Sequence, residues 1–126
     1  MGVRGVGVDL VRIPRLREVI GRWNERFLLR VFTDGEIAYC RGRRDPVIHF
    51  AARFAAKEAG MKALGTGFSL GVQWRDLEVR REPGQRPTLH LSGRAAERAN
   101  SMGVTRLSLS LSHSRTVALA VVLAEC

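Results

Sequence analysis

Glu58 stands between the only two lysines of the chain, in the run Lys57-Glu58-Ala59-Gly60-Met61-Lys62. The other nineteen basic residues are arginine. A composition so rich in arginine supplies a planar fork wherever a solvated cation will serve, so two retained lysines point to a site that wants a compact ammonium. At about 100° per residue, Val47, Phe50, Ala51, Phe54 and Met61 form one apolar stripe of a helix, with Glu58 in its middle and Lys57 and Lys62 near its edges. An ionised carboxylate facing a core is costly unless a cation or strong donors meet it. A Glu58–Lys62 pair at i, i+4 contributes only about 0.2–0.5 kcal/mol when exposed and does not explain the inward position. With Arg53 nearby in sequence, the cluster reads as a metal-ligating carboxylate in a phosphate site.

The elements that must position these residues follow from local signals. Asp45, Pro46 and Gly65 fit the N-cap, the first turn and the terminator of one helix spanning residues 45–65. Residues 3–9, Val-Arg-Gly-Val-Gly-Val-Asp, read as a short strand that ends in an acid, Asp9. Pro14, Ile13, Leu16, Ile20 and Trp23 then mark a helix, with Arg15, Arg22 and Arg26 along one side. Thr33 and Glu36 form a capping box for a short helix ending near Cys40. After the long helix comes a glycine-rich turn from Gly65 to Gly71, which includes Phe68. Leu77 and Val79, then Leu89 and Leu91, alternate with polar residues around Pro83-Gly84-Gln85-Arg86-Pro87 and predict a hairpin. Ser92 opens a helix through Met102. Leu107, Leu109 and Leu111 alternate with serines, and the apolar run Val117–Leu123 predicts a strand covered on both faces. Helices early and antiparallel strands late give an α+β fold.

With 126 residues and 45% hydrophobic content, the chain has the size of one domain, here 1–126, able to build a single core. Its net charge of +9 favours an anionic partner. One class this charge admits is a basic nucleic-acid-binding module, but that reading requires aromatic residues interleaved with basic ones and leaves Asp9 and Glu58 without a task. Cys40 and Cys126 match no metal or redox spacing and read as free thiols. Arg4, Asp9 and Arg12 interrupt any N-terminal apolar run, and no stretch is long enough to span a bilayer, so a cytoplasmic protein without a membrane partner is expected.

Four segments together resemble the holo-acyl-carrier-protein synthase family of 4′-phosphopantetheinyl transferases. They are Gly5-Val6-Gly7-Val8-Asp9; Arg53-Phe54-Ala55-Ala56-Lys57-Glu58-Ala59 with Lys62-Ala63-Leu64-Gly65-Thr66-Gly67; Asp76-Leu77-Glu78-Val79 with Gly84 and Pro87-Thr88-Leu89; and Leu109-Ser110-Leu111-Ser112-His113. The resemblance covers about residues 3–124. It implies the phosphopantetheinyl transferase fold, a homotrimer with sites at subunit boundaries, and transfer of the 4′-phosphopantetheine arm of coenzyme A to a serine of acyl carrier protein.

The resemblance also implies roles. Asp9 and Glu58 are the Mg²⁺ ligands and, with Lys62, the catalytic group. Lys62 meets the pyrophosphate as a point charge, and either it or a metal-held water oriented by Asp9 or Glu58 takes the serine proton. Arg53, His113 and Ser114 hold the 3′-phosphate, Lys57 is a further coenzyme contact or covers the stripe's edge, and Gly65 lets the pantetheine arm lie close. Arg15, Arg22 and Arg26 dock the acidic carrier protein. Gly60 departs from the family by replacing a bulkier residue, at about 1 kcal/mol of helix propensity relative to Ala. Packing against a neighbouring subunit or a ligand would account for it. Trp23-Asn24-Glu25 marks an end or shift of the first helix, which sets Arg26 apart from Arg15 and Arg22. The turn His113-Ser114-Arg115-Thr116 lacks the acid that some relatives carry just after the histidine, so a His–Asp pair has no support here.

Overall fold

Gly5 and Gly7 set how closely the first strand approaches the long helix. A Cβ at Gly7 would stand 1.7 Å from the Ala59 carbonyl oxygen, and one at Gly5 1.8 Å from that of Ala63. Backbone therefore lies directly on backbone. The computed structural model describes residues 2–67 and 69–126, and Phe68 of the expected glycine-rich turn lies outside the described residues. The elements run β1 (Val3–Arg12), α1 (Ile13–Trp23), α2 (Glu25–Val31), α3 (Asp34–Arg41), α4 (Pro46–Ala63), a 3₁₀ turn at Trp74–Asp76, β2 (Leu77–Arg80), β3 (Thr88–Leu91), α5 (Gly93–Ser101), β4 (Arg106–His113) and β5 (Val117–Glu125). Strand β1 continues three residues beyond Asp9, longer than its sequence signal.

A three-stranded antiparallel sheet has the order β1-β5-β4, and β2 and β3 form the expected hairpin. Register places Asp9 opposite Ala120, and Ala120 opposite Leu111. With period-two alternation, Gly5, Gly7, Asp9 and Val11 share one face with Ala118, Ala120, Val122 and Ala124 of β5 and with Leu107, Leu109, Leu111 and His113 of β4. All four of those β5 residues are fully buried. The other face of the sheet is different. Val6, Val8 and Leu10 are each about half exposed, with exposed Leu119 beside them. The strand at 117–123 is thus covered on one face only in the single chain, against the expectation of two.

Helix α4 is buried around far more of its circumference than one stripe. Phe50, Ala51 and Met61 face the core as expected, but Ala52, Ala55, Ala56, Ala59 and Ala63 are buried too. Alanine on the sheet side allows the close approach that the β1 glycines complete. Gly60 belongs to the same pattern. A Cβ there would meet Leu77 Cδ2 at 2.6 Å and Leu89 Cδ2 at 3.1 Å, so the β2–β3 hairpin of the same chain, rather than a neighbour or ligand, accounts for the glycine.

The ends of the helices follow their local signals with one exception. The capping box of Thr33 and Glu36 forms, and Gly65 terminates α4 with φ +68°. Asp45 occupies the N-cap of α4, yet its carboxylate accepts from Arg17 at 3.0 and 3.3 Å instead of capping the helix. Asn24, at φ 47°, breaks α1 from α2 where the sequence shift was expected.

Candidate active site

Asp9 lies two residues past Gly7 on the face that meets α4, so the close strand–helix approach brings it to the C-terminal half of that helix. Lys62 Nζ donates to Asp9 Oδ1 at 2.7 Å and to the Val8 carbonyl at 3.2 Å. The Asp9 carboxyl is also in hydrogen-bonding contact with Glu58. Burial, then the charge and hydrogen bond of Asp9, push the Glu58 carboxyl up to about 7, against the opposing pull of Lys62. The bond to Asp9 holds the Lys62 ammonium above its ordinary range. Residues 9, 58 and 62 therefore converge, but not as sequence spacing suggested. Lys62 pairs with Asp9 across the elements, and the i, i+4 bridge to Glu58 does not form among the described residues.

Two carboxyls pressed together, one of them with its pKa raised by burial and by the other's charge, are short of positive charge. Among the described residues no cluster of three or more His, Cys, Asp or Glu side chains is present, which excludes a cage of protein ligands. The donor set suits Mg²⁺, a hard ion content with one or two carboxylates, water and substrate phosphate. Glu58 also borders an apolar groove of about 290 Å³ lined by Leu10, Leu16, Val19, Phe27 and Phe54. Arg15 stands on the lip of this groove and of the adjoining surface hollow that carries Arg22 and Trp23. Arg26 lies beyond the Asn24 break, its guanidinium 5.9 Å from the Trp23 ring centroid.

A second constellation forms on the opposite flank of α4. Arg53 and Glu58 are five residues apart, about 140° around the helix, so the two side chains diverge. Arg53 does not join the acid cluster, as the linear reading had supposed. The residue is almost wholly buried, at 3% exposure, and its Nε has no hydrogen-bond partner among the described residues. It stacks on Tyr39, 4.0 Å from the ring centroid. With His113, His49, Arg81 and Arg86 it lines a pocket of about 530 Å³ whose walls carry no acid. Burial foremost, then the surrounding cations, lower the His49 pKa. Sequence pairing of Arg53 with His113 is realised. Ser114 and Gly65 line neither cavity, and the Ser114 hydroxyl oxygen accepts from the backbone of Thr116 and Val117 within the turn.

Lys57 is the clear correction. It reaches neither cavity and is fully buried, contrary to a coenzyme contact or a stripe edge. Its ammonium pairs with Glu36 Oε1 at 2.7 Å and donates to the Leu77 and Trp74 carbonyls. Glu36 in turn accepts from Thr33 N at 2.9 Å and Val79 N at 2.8 Å. One buried pair thus ties α3, α4 and β2 together. Tyr39, His49, Arg81 and Arg86 were missed by sequence reasoning, and the excess of arginine hinted only at the last two. Glu36 was seen only as a local cap.

The sequence profile of the 4′-phosphopantetheinyl transferase superfamily matches residues 5–122. A holo-[acyl-carrier-protein] synthase of Koribacter versatilis is 50% identical over 123 residues, covering 98% of each chain. The crystal structure of the holo-[acyl-carrier-protein] synthase from Neisseria meningitidis superposes with a TM-score of 0.90 at 30% identity, over 99% of this chain and 100% of that one. The Helicobacter pylori holo-[acyl-carrier-protein] synthase, solved in complex with coenzyme A, gives a TM-score of 0.83 at 31% identity, over 95% of this chain and 99% of that one. Fold, motifs and full-length similarity agree: the chain belongs to the 4′-phosphopantetheinyl transferase superfamily, among the holo-[acyl-carrier-protein] synthases.

Proposed function

We propose that this chain transfers the 4′-phosphopantetheine arm of coenzyme A to a serine hydroxyl of acyl carrier protein, releasing adenosine 3′,5′-bisphosphate. The observation that carries the reading is the pairing of two unlike anion sites on one chain. A carboxyl pair beside an ammonium suits a cation-bridged pyrophosphate, and a buried guanidinium without an acid partner suits a terminal phosphate. Coenzyme A carries both groups. The relative from Helicobacter pylori was solved with coenzyme A, which supports the same ligand here.

In this reading Asp9 and Glu58 would hold Mg²⁺, which when bound would neutralise charge on the pyrophosphate oxygens. The serine oxygen attacks the phosphorus that bears the pantetheine arm, and the bond from that phosphorus to the bridging oxygen of the pyrophosphate breaks. Lys62 serves as a fixed positive donor to those oxygens. The hydrogen bond to Asp9 raises its pKa and favours its charged form, so a water oriented by Asp9 or Glu58 would take the serine proton. The apolar groove beside Glu58 keeps water away from the reacting phosphate, and Arg15 and Arg22 receive the acidic carrier protein at its edge.

Among the described residues none lines both the groove and the basic pocket. We therefore propose that the acid cluster of one copy works with Arg53 and His113 of a neighbouring copy, in a homotrimer of one-domain subunits located in the cytoplasm. The uncovered apolar face of β1 and β5 supports such assembly, since a face of that kind seeks a partner. Among the described residues no helix is long and apolar enough to cross a membrane. Intact-mass spectrometry of apo-acyl carrier protein incubated with coenzyme A and Mg²⁺ tests the transfer. A gain of one phosphopantetheinyl group supports it, and an unchanged mass refutes it.

A further inference from the structure

The basic pocket holds its central guanidinium by contacts that the transfer reaction alone does not explain. Arg53 is nearly sealed from water, makes no ion pair among the described residues, and leaves its Nε without an acceptor. A buried charge so placed is normally neutralised or paired. Instead it lies against a ring face, 4.0 Å from the Tyr39 centroid. The same ring carries a second guanidinium, that of Arg43, at 4.5 Å, and the Tyr39 hydroxyl accepts from Arg43 Nη2 at 2.6 Å. His49 packs edge-on to the ring at 6.1 Å.

A ring quadrupole attracts a cation without cancelling its charge. An acid at position 39 would fix Arg53 equally well but would also satisfy it, and the pocket would lose its pull on an incoming anion. Tyrosine does the first without the second. We propose that Tyr39 is the positioning residue of this pocket: its ring holds the desolvated Arg53 in place and unneutralised, so that the pocket selects a nucleotide carrying a 3′-phosphomonoester over the same nucleotide lacking that group. The assignment rests on the reading of this pocket as a phosphate site. Arg81 and Arg86 contribute charge from the other walls, but they stack on no ring among the described residues and do not orient Arg53.

The test compares binding of adenosine 3′,5′-bisphosphate with adenosine 5′-monophosphate by calorimetry, using the full chain as wild type, Tyr39→Phe, Tyr39→Leu and Tyr39→Met. Wild type binds the bisphosphate more tightly by about tenfold or more, and Tyr39→Phe keeps that ratio because the ring remains. Tyr39→Leu loses most of it while binding the monophosphate as wild type does. Tyr39→Met, a flexible apolar filler without a ring, gives the same answer if the leucine variant melts early. If neither of these folds, Tyr39→Phe decides, since loss of the ratio there refutes a role for the ring.

The proposal is overturned if Tyr39→Leu or Tyr39→Met keeps the discrimination, weakens both ligands equally, or if wild type never discriminates. Transfer to acyl carrier protein is assayed separately on wild type. Discrimination without transfer sinks the transferase reading and leaves Tyr39 standing, and transfer without discrimination does the reverse.

Discussion

Glu58 shows how a single side chain reports the state of its surroundings. Its carboxyl sits at about 7 in the metal-free fold against an ordinary 4.5, because it is partly buried and faces Asp9. An acid whose folded-state pKa is raised binds more protons folded than unfolded across that window, so stability falls as pH rises from about 4.5 to about 7 and levels off above. Thermal melts of the metal-free protein should therefore show Glu58 lowering the midpoint as pH rises from 5 to 7.5, against the opposite trend from His49, whose lowered pKa adds stability as pH rises. The Glu58→Gln midpoint should accordingly climb relative to wild type across this window. Adding Mg²⁺ should raise the midpoint at pH 7.5 and do little at pH 5, where the proton already occupies the site. Glu58→Gln should also lower single-turnover transfer by about 10²–10³-fold with the fold intact, since it removes charge stabilisation without changing volume. Near-normal turnover would refute its assignment.

At the scale of elements, the stability of the site depends on how tightly β1 lies on α4. Gly7→Ala forces a methyl group toward the Ala59 carbonyl oxygen, and overpacking of this kind costs about 1–3 kcal/mol or more. Urea titration should register that loss, and Asp9 should move away from Glu58 with a matching fall in Mg²⁺ affinity. Lys57→Met leaves the Glu36 carboxylate buried and unpaired, which costs about 3–5 kcal/mol. Glu36→Gln combined with Lys57→Met should recover most of that stability. Recovery would show in the same titration, and its absence would mean that the pair does more than balance charge.

These same elements show what was legible in the sequence. The Gly5-Gly7-Asp9 spacing carries both the close approach and the acid that follows it, and the capping box and hairpin announce themselves through residues near in sequence. Lys57 misled because adjacency to Glu58 says nothing about direction. Successive helical residues point about 100° apart, and the acid that claims Lys57 lies 21 positions upstream. The Tyr39–Arg53 stack and the β2–β3 contacts of Gly60 were invisible for the same reason, since both depend on pairings set only when the chain has folded.

For the whole molecule, the charge distribution and the uncovered sheet face determine what it meets. Arg22→Glu should weaken use of acyl carrier protein well beyond any change in coenzyme A binding, because Arg22 is exposed on α1 and lines neither the acid-cluster groove nor the basic pocket. Equal loss of both would remove α1 as the docking helix. The account as a whole turns on the claim that the two anion sites of one chain are halves belonging to two different active sites. Co-expression of Glu58→Gln and Arg53→Ala chains, each inactive alone, tests this most directly. If random assortment in a closed ring pairs an intact acid cluster with an intact basic pocket, the co-expressed pool as a whole regains about a quarter of wild-type transfer. Mixed oligomers as inactive as their parents would contradict it.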